Sequence, residues 1–445
     1  MLRRRFVATM AAAAPPLLGW RTDFPASRTG QAGLRVNGER VNRRLAELSR
    51  FGRTAGGGTS RLAYSDADIA GREWAMGLMR EAGLEVRVDA AGNILGRRPG
   101  GGDGRDPRRP PILFGSHIDS VPEGGNYDGD VGSMGAIEVA QTLTDHRVTT
   151  THPLEVVIFQ NEEGGLIGSR GMIGELTETE LALTARSGFT IREGIRRLGG
   201  DPDRLAEARR RTGDLACYLE LHIEQGATLD EAGIQIGVVE GIVGIRWHEV
   251  VFEGFANHAG TTPMDRRQDA LLAAAQLVLA VNRIVTSRPG RQVGTVGRIA
   301  AEPSAPNVIP GRVVMSVEVR DLSTDVIEQL SREVLAEAER LARATNTRVS
   351  HRVINENIAA PTDPRLRRVI TAAATSLHLT SRSLPSGAGH DAQDLARIAP
   401  AGMIFVPSVR GISHSPQELT RPEDVTNGAN VLLHTILAVD REGLG

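Results

Sequence analysis

Residues 132–165, GSMGAIEVAQTLTDHRVTTTHPLEVVIFQNEEGG, run a helical pattern into an apolar stretch, Leu154 to Phe159, and then into the adjacent acids Glu162 and Glu163 and two glycines. A helix feeding a strand in this way belongs to a βαβ rhythm, which predicts an open, largely parallel sheet with helices on both faces. In such sheets ligands gather at the carboxyl ends of the strands. The two glutamates stand at such an end. Like charges this close repel and loss of water raises both pKa values, so the pair is unfavourable unless a cation sits beside it.

Outward from this unit the alternation continues. Upstream, SDADIAGREWAMGLMREAGLEV offers Ser65 or Asp66 as N-cap, apolar residues at helical spacing and Gly83 as the stop, with a strand over residues 85–89 after it. An Arg-, Gly- and Pro-rich loop then separates two short apolar runs and reads as a solvated connection, not a phosphate cradle. Near residue 240 the texture changes: GIRWHEVVFEGFANHAG, QVGTVGRIAAEPSAPNVIPG and RVVMSVEVRDLS read as strands, interleaved with helices over residues 269–285 and 323–345. From PTDPRLRRVITAAATSL onward the helix and strand alternation resumes. The expected fold is an α/β domain with a central, mostly parallel sheet and helices on both faces, residues 31–242 and 356–445, interrupted by a smaller α+β domain, residues 243–355.

A chain of 445 residues favours two or more domains. Its 52 Lys and Arg against 54 Asp and Glu leave a formal net charge of -2, so no overall field recruits nucleic acid. The one cysteine, Cys217, excludes an internal disulfide framework and Cys-based zinc sites, leaving the 11 histidines and the carboxylates as metal ligands. The first residues, MLRRRFVATMAAAAPPLLGW, are too short and too interrupted by Pro15 and Pro16 to span a bilayer as a helix. With Arg3, Arg4, Phe6 and Val7 they resemble a twin-arginine export signal within residues 1–30, which predicts a periplasmic location; without export the chain is expected in the cytoplasm. No other segment reads as a membrane span.

Ligand-type residues recur where apolar runs stop. His117 and Asp119 end ILFGSHIDS, Asp128 lies in GGNYDGDVG, His222 and Glu224 end YLELHIEQG, and His414 lies in GISHSPQE, alongside Glu162 and Glu163. This recurrence reads as a dinuclear metal site, in which an aspartate that bridges two divalent ions lowers their mutual repulsion. Asp128, flanked by glycines, is the bridging candidate; Glu163 and His414 would serve one ion, His117 and His222 the other. Nitrogen and oxygen donors suit zinc or manganese, and also admit cobalt or nickel. Asp119, two residues after His117 on what reads as extended chain, is expected to accept the free ring N–H of that histidine, and Glu224 stands in the same relation to His222. His146, His152, His248, His351, His378 and His434 fall outside these stretches and read as surface or packed residues, and Trp247 and Phe252 as core of the second domain.

GSHIDSVPEGGNYDGDVG, NEEGG, LHIEQG, FANHAGTTPM, PNVIPG, SGAGHDA and ISHSPQE follow one another in the order and spacing of the allantoate amidohydrolase, N-carbamoyl-L-amino acid hydrolase and β-ureidopropionase group, and the chain resembles that group of aminoacylase-like dinuclear metallopeptidases from about residue 35 onward. The resemblance implies hydrolysis of a ureido C–N bond with two metal ions that activate water and polarise the carbonyl. Glu162 would then be the general base and proton carrier. His258 would stabilise the tetrahedral oxyanion, in related enzymes from the partner subunit of a dimer. Asn307 and Arg320 match the substrate-binding pair, Arg320 gripping a carboxylate bidentately, with Gln225, Gly389 and His390 completing the pocket. It further implies a homodimer and a lid role for the inserted domain, with hinges near residues 240–245 and 352–360.

Three functions remain distinguishable at this level. The first is hydrolysis of an N-carbamoyl amino acid, allantoate or similar ureido acid, a small molecule bearing a carboxylate. The second is an aminoacylase or dipeptidase with the same metal machinery; NHAGTTPM, PNVIPG and the histidine of LHIEQG favour the ureido group. The third is a non-catalytic metal-binding relative, which would be expected to have lost a ligand or the base, whereas all six of His117, Asp128, Glu162, Glu163, His222 and His414 are present.

Overall fold

The strands follow the chain in three stretches. The first holds β1 (Glu85–Val88), β2 (Ile94–Arg98), β3 (Ile112–His117), β4 (Leu154–Phe159), β5 (Cys217–Ile223) and β6 (Ile236–Ile242). The second holds β7 (Gly244–Glu253), β8 (Asn257–His258), β9 (Val293–Glu302), β10 (Val308–Ile309), β11 (Arg312–Asp321) and β12 (Arg348–Asn357). The third holds β13 (Ala360–Pro361), β14 (Ser381–Ser386) and β15 (Ala401–Val406). These come from a computed structural model that describes residues 33–101 and 109–444; the export segment expected in residues 1–30 lies outside the described residues. Among the described residues no helix is long and apolar enough to cross a membrane. All fifteen strands belong to one unit, Val36–Gly445.

The first and third stretches build one nine-stranded sheet in the order β1-β2-β4-β3-β5-β15-β6-β13, with β14 beside β6. Its centre is parallel: β3 pairs with β4 and β5, and β15 with β5, all in the same direction. The antiparallel pairs lie on the flanks, where β1 and β2 extend one side and β13 pairs with β6 on the other. Every residue of β3, β4, β5 and β15 is buried. That is why their sequences are continuous apolar runs: helices cover both faces and leave no solvent side to alternate with.

The second stretch makes a four-stranded antiparallel sheet, β12-β7-β11-β9, and a two-stranded ribbon of β8 and β10. In β11 buried and less buried residues alternate, the signature of a sheet covered on one face. Phe252, Val313 and Met315 of that face pack with Leu277 and Val281 of the helix Ala270–Thr286 and with Leu330 and Val334 of the helix Thr324–Ala344. Phe252 is core, as expected, while Trp247 is 37% exposed. The chain leaves the larger sheet through Val243, between β6 and β7, and returns through residues 358–359, between β12 and β13.

Local chemistry sets the element ends. Ser65 caps the helix Asp66–Glu81 by accepting the N–H of Asp68. The helix expected to begin near Gly132 begins earlier and spans Asp130–Asp145. Its first turn is fixed by Arg61, which donates two hydrogen bonds of 2.7 and 2.6 Å to the Asp130 carboxylate. Both partners are buried, and a sequence distance of 69 residues hides the pairing from local pattern.

Candidate metal centre and active site

Because β3, β4, β5 and β15 run in parallel, their carboxyl ends share one edge of the sheet. β3 delivers His117 there, β4 delivers the loop with Glu162 and Glu163, β5 delivers His222, and the chain after β15 reaches His414. Asp128 precedes the helix Asp130–Asp145 and faces all three histidines. Its Oδ1 lies 3.1 Å from His222 Nε2 and 3.7 Å from His117 Nε2, and its Oδ2 lies 3.2 Å from His414 Nε2. His414 Nε2 is 3.4 Å from Glu163 Oε1. Two donor groups therefore meet on one carboxylate: His117, Asp128 and His222, and Asp128, Glu163 and His414, each with its donor atoms within 4.8 Å of one another.

Tautomers decide whether cations fit. His117 Nδ1 lies 3.1 Å from the carbonyl oxygen of Asp119, and His222 Nδ1 lies 3.0 Å from that of Ile223. A carbonyl only accepts, so each Nδ1 carries the hydrogen and each Nε2 turns a lone pair toward Asp128. Lone pairs facing a carboxylate repel unless a proton or metal ion stands between them. The buried His117 Nε2 and Glu163 Oε1 also have no hydrogen-bond partner among the described residues, an expensive state for polar atoms removed from water. These donors fit a pair of divalent ions.

The electrostatics agree. Burial and the Asp128 charge push Glu163 up to about 8, while burial and the charge of Glu163 raise Glu162 well above the usual carboxylate range. Asp128 is held well below it: burial opposes this, but hydrogen bonds from His222 and His414 prevail. The same hydrogen bond raises His414 to about 9, and raises His222 to about 9 against the opposing effect of burial. Burial pushes His117 down to about 4, so that ring stays neutral, and a bound cation would take the place of the protons on His222 and His414. Glu162 Oε2 is 3.7 Å from His117 Nε2 and belongs to neither donor group.

The surrounding residues correct part of the sequence reading. Asp119 does not take the His117 ring N–H with its carboxylate, which lies 3.7 Å from Nδ1. β3 ends at His117, so strand alternation does not extend to Asp119. Its carboxylate instead accepts the backbone N–H groups of Glu162 and Glu163 at 3.1 and 3.2 Å, fixing the loop that carries both acids. Glu224 likewise caps the chain at Thr228 and Leu229, at 2.9 and 2.8 Å, rather than serving His222. Gln225 donates to Asp128 Oδ2 at 2.7 Å.

Sequence reasoning missed Glu418, buried four residues after His414. One of its oxygens accepts the N–H groups of Tyr127 and Asp128 at 2.9 and 3.1 Å; the other accepts Ser413 Oγ and His414 N–H at 2.9 and 3.3 Å. It ties together the two segments that bear Asp128 and His414. An acid inside ISHSPQE was the available signal. Gly129 has φ +66°, and a Cβ there would lie 2.4 Å from the His117 ring, so no other residue lets Asp128 approach so closely.

The remaining expected site residues fall into separate places. His390 is buried edge-on against His222, ring centres 4.4 Å apart, with Nε2 2.8 Å from Ser386 Oγ; exposed Gly389 precedes it. A third donor group, Glu220, His222 and His390, has its carboxylate already engaged by Ser116 Oγ and the Ala392 N–H at 2.8 and 3.0 Å. His258 lies on the ribbon of β8 and β10 with Asn307 just before β10, where Ala259 N–H donates to Asn307 O at 3.0 Å. Both are exposed, and the polar contacts of His258 are local, to Asn257, Gly260 and Thr262. Arg320 on β11 forks onto Glu318 at 2.7 and 3.1 Å, not onto Asp321, and donates to Gly387 O at 2.9 Å.

Histidine and carboxylate donors converging on one aspartate, with a free glutamate beside them at the carboxyl edge of a parallel-centred sheet, are the layout of a metal-dependent hydrolase. Comparison with known proteins narrows the class. The sequence profile of peptidase family M20/M25/M40 matches residues 113–438. An N-carbamoyl-L-amino acid amidohydrolase of Geobacillus stearothermophilus is 41% identical over 406 residues, covering 90% of this chain and 98% of the relative. A ureidoglycolate hydrolase of Arabidopsis thaliana is 36% identical over 434 residues, covering 93% and 90%. A solved amidase of the hydantoinase/carbamoylase family from Burkholderia multivorans superposes with a TM-score of 0.82 at 39% identity, covering 91% of this chain and 98% of that one. The chain belongs to the M20/M25/M40 peptidase family, in its hydantoinase/carbamoylase group.

Proposed function

We propose that this protein hydrolyses the ureido C–N bond of an N-carbamoyl amino acid, allantoate or a similar ureido acid. The observation that carries this is the pair of donor groups meeting on Asp128 with Glu162 left free beside them, in a chain so similar to carbamoyl amidohydrolases along its length. When bound, two divalent ions, zinc or manganese in first place and cobalt or nickel as alternatives, would activate water and polarise the carbamoyl carbonyl. His117, Asp128 and His222 would hold one ion, Asp128, Glu163 and His414 the other. Glu162 takes the proton of the attacking water and passes it to the departing nitrogen as the C–N bond breaks. The carbamate so released decomposes to ammonia and carbon dioxide. Asp119 keeps Glu162 aimed by holding its backbone N–H. Arg320 receives the substrate carboxylate by exchanging its fork on Glu318 for it, with Asn307, Gln225, Gly389 and His390 shaping the pocket.

The four-stranded part acts as a lid that hinges near residues 240–245 and 352–360, and its outer surface supports a homodimer. The helix Ala270–Thr286 exposes Leu271, Leu272 and Leu279, and the edge strand β9 exposes Val293 and Ile299. Unpaired edges and apolar stripes of this kind are commonly covered by a second copy across a two-fold axis. His258 would then act on the partner's substrate. The basic N-terminal stretch supports twin-arginine export, which cell fractionation would detect.

The deciding experiment is product release, ammonia and amino acid, over N-carbamoyl-L-amino acids, allantoate, N-carbamoyl-β-alanine, N-acyl amino acids and dipeptides, with each metal added to stripped enzyme. Turnover of the ureido compounds is expected, and Glu162→Gln should keep its metal while kcat falls by about 10²–10⁴-fold. Turnover confined to acyl or peptide substrates would overturn the reading in favour of an aminoacylase or dipeptidase.

A further inference from the structure

Beside the metal ligand Glu163 lies a cavity of about 270 Å³, lined by that residue and Asp119, by Leu62 and Ala63, and by Thr184 and Arg186. Arg186 is the basic residue among those that line it. It stands on a closed hairpin: Thr184 bridges Thr190, Ala185 N–H donates to Phe189 O at 2.8 Å, and Gly188 N–H donates to Ala185 O at 2.9 Å. Phe189 in turn packs under the Arg197 guanidinium, 4.2 Å from the ring centre. The turn that presents Arg186 is thus a built feature.

Other arginines nearby are neutralised. Arg170 pairs with Glu180, Arg192 with Glu178 and Asp203, Arg196 with Asp203, and Arg197 with Asp66. Arg186 makes no ion pair or hydrogen bond with its side chain among the described residues. The acids that share the cavity are engaged elsewhere: the Asp119 oxygens accept two backbone N–H groups, and Glu163 faces His414 and Asp128. The cavity therefore reaches the metal ligand Glu163 and lies between an apolar wall and the exposed, uncommitted guanidinium of Arg186.

Building on the proposed ureido hydrolysis, we propose that this cavity receives the substrate side chain and that Arg186 selects ureido acids carrying a second anionic group, such as a carboxylate one or two carbons from the α-carbon. A guanidinium matches a carboxylate in a planar, two-point geometry that an ammonium cannot reproduce. A neutral amide of the same shape would gain far less.

The test compares kcat/KM for N-carbamoyl-L-aspartate and N-carbamoyl-L-asparagine, which differ in charge and hardly in size, with N-carbamoyl-L-alanine as reference. The wild-type protein should prefer aspartate to asparagine by at least about tenfold, the range expected of a hydrogen-bonded charge. Arg186→Gln should bring that ratio close to one, Arg186→Lys should give an intermediate value, and Arg186→Glu should invert it. A wild-type ratio near one, or a ratio unmoved by Arg186→Gln while N-carbamoyl-L-alanine is hydrolysed, overturns the subsite and leaves the functional reading intact. Absence of turnover on all three compounds by metal-loaded wild type that does hydrolyse allantoate or N-carbamoyl-β-alanine overturns the subsite alone; absence of turnover on every ureido compound overturns both.

Discussion

Glu162 and Glu163 are the same residue type and neighbours in the chain, yet they have different surroundings. Glu163 faces His414 and shares Asp128 with the opposite histidines, whereas Glu162 stays outside both donor groups. The pKa directions translate into a prediction. Glu163 is raised to about 8, and His222 and His414 to about 9, so all three hold protons at neutral pH in the metal-free protein. A metal ion must displace them. As pH rises toward 8 fewer protons remain to be displaced, so metal affinity should climb by about tenfold per pH unit for each proton released between pH 6 and 8. Isothermal titration of stripped protein at three pH values measures this; an affinity flat across that range would contradict the site. His117, Glu162, Glu163 and His222 were readable from sequence because each follows an apolar run, whereas Asp128 and His414 stood out only as ligand-type residues in the short stretches GGNYDGDVG and GISHSPQE. The work of Asp119 was not, because its partners are backbone N–H groups 43 and 44 residues away, which carry no side-chain signature.

Elements were legible in proportion to their periodicity. The strand Leu154–Phe159 and the helices Ala270–Thr286 and Thr324–Ala344 lie where apolar spacing puts them. The start of the helix Asp130–Asp145 was not legible, since it depends on Arg61, and neither was the joining of the loop before it to the loop after β15. Glu418 makes that joint with four accepted hydrogen bonds. Glu418→Gln replaces one accepting oxygen by a donor, so one of the two loops must let go. Metal affinity should fall by about 10–100-fold, the usual cost of removing a group that orients ligands, with circular dichroism unchanged. Competition against a chromogenic chelator reads the affinity, and a value equal to wild type would show that the ligand loops do not depend on Glu418.

At the scale of the whole molecule the decisive feature is where His258 stands. Within the chain it is exposed on the β8 ribbon and touches its own turn. If it serves the partner's substrate, Glu162→Gln and His258→Ala proteins, each nearly inactive, should recover activity when mixed and allowed to exchange subunits. One site of each heterodimer would then carry an intact Glu162 and an intact His258, so about a quarter of wild-type activity is expected from random pairing. Mixtures no more active than the separate variants, with subunit exchange verified by mass, would place His258 outside the partner's site. The division into two sheets was legible as a change of texture near residue 240; the geometry of its junction was not, because it rests on β13, two residues long. There Ala360 pairs with Ile242 and Pro361 with Gly241, so the chain departs from the larger sheet and rejoins it at adjacent rungs of one antiparallel ladder. A two-residue turn such as Asn-Gly joining Ile242 to Ala360 would complete an ordinary hairpin. The intervening residues are in this sense a cassette: a single in-frame insertion at a hairpin tip could have introduced them, and relatives could gain, lose or exchange such a segment without breaking the ancestral sheet.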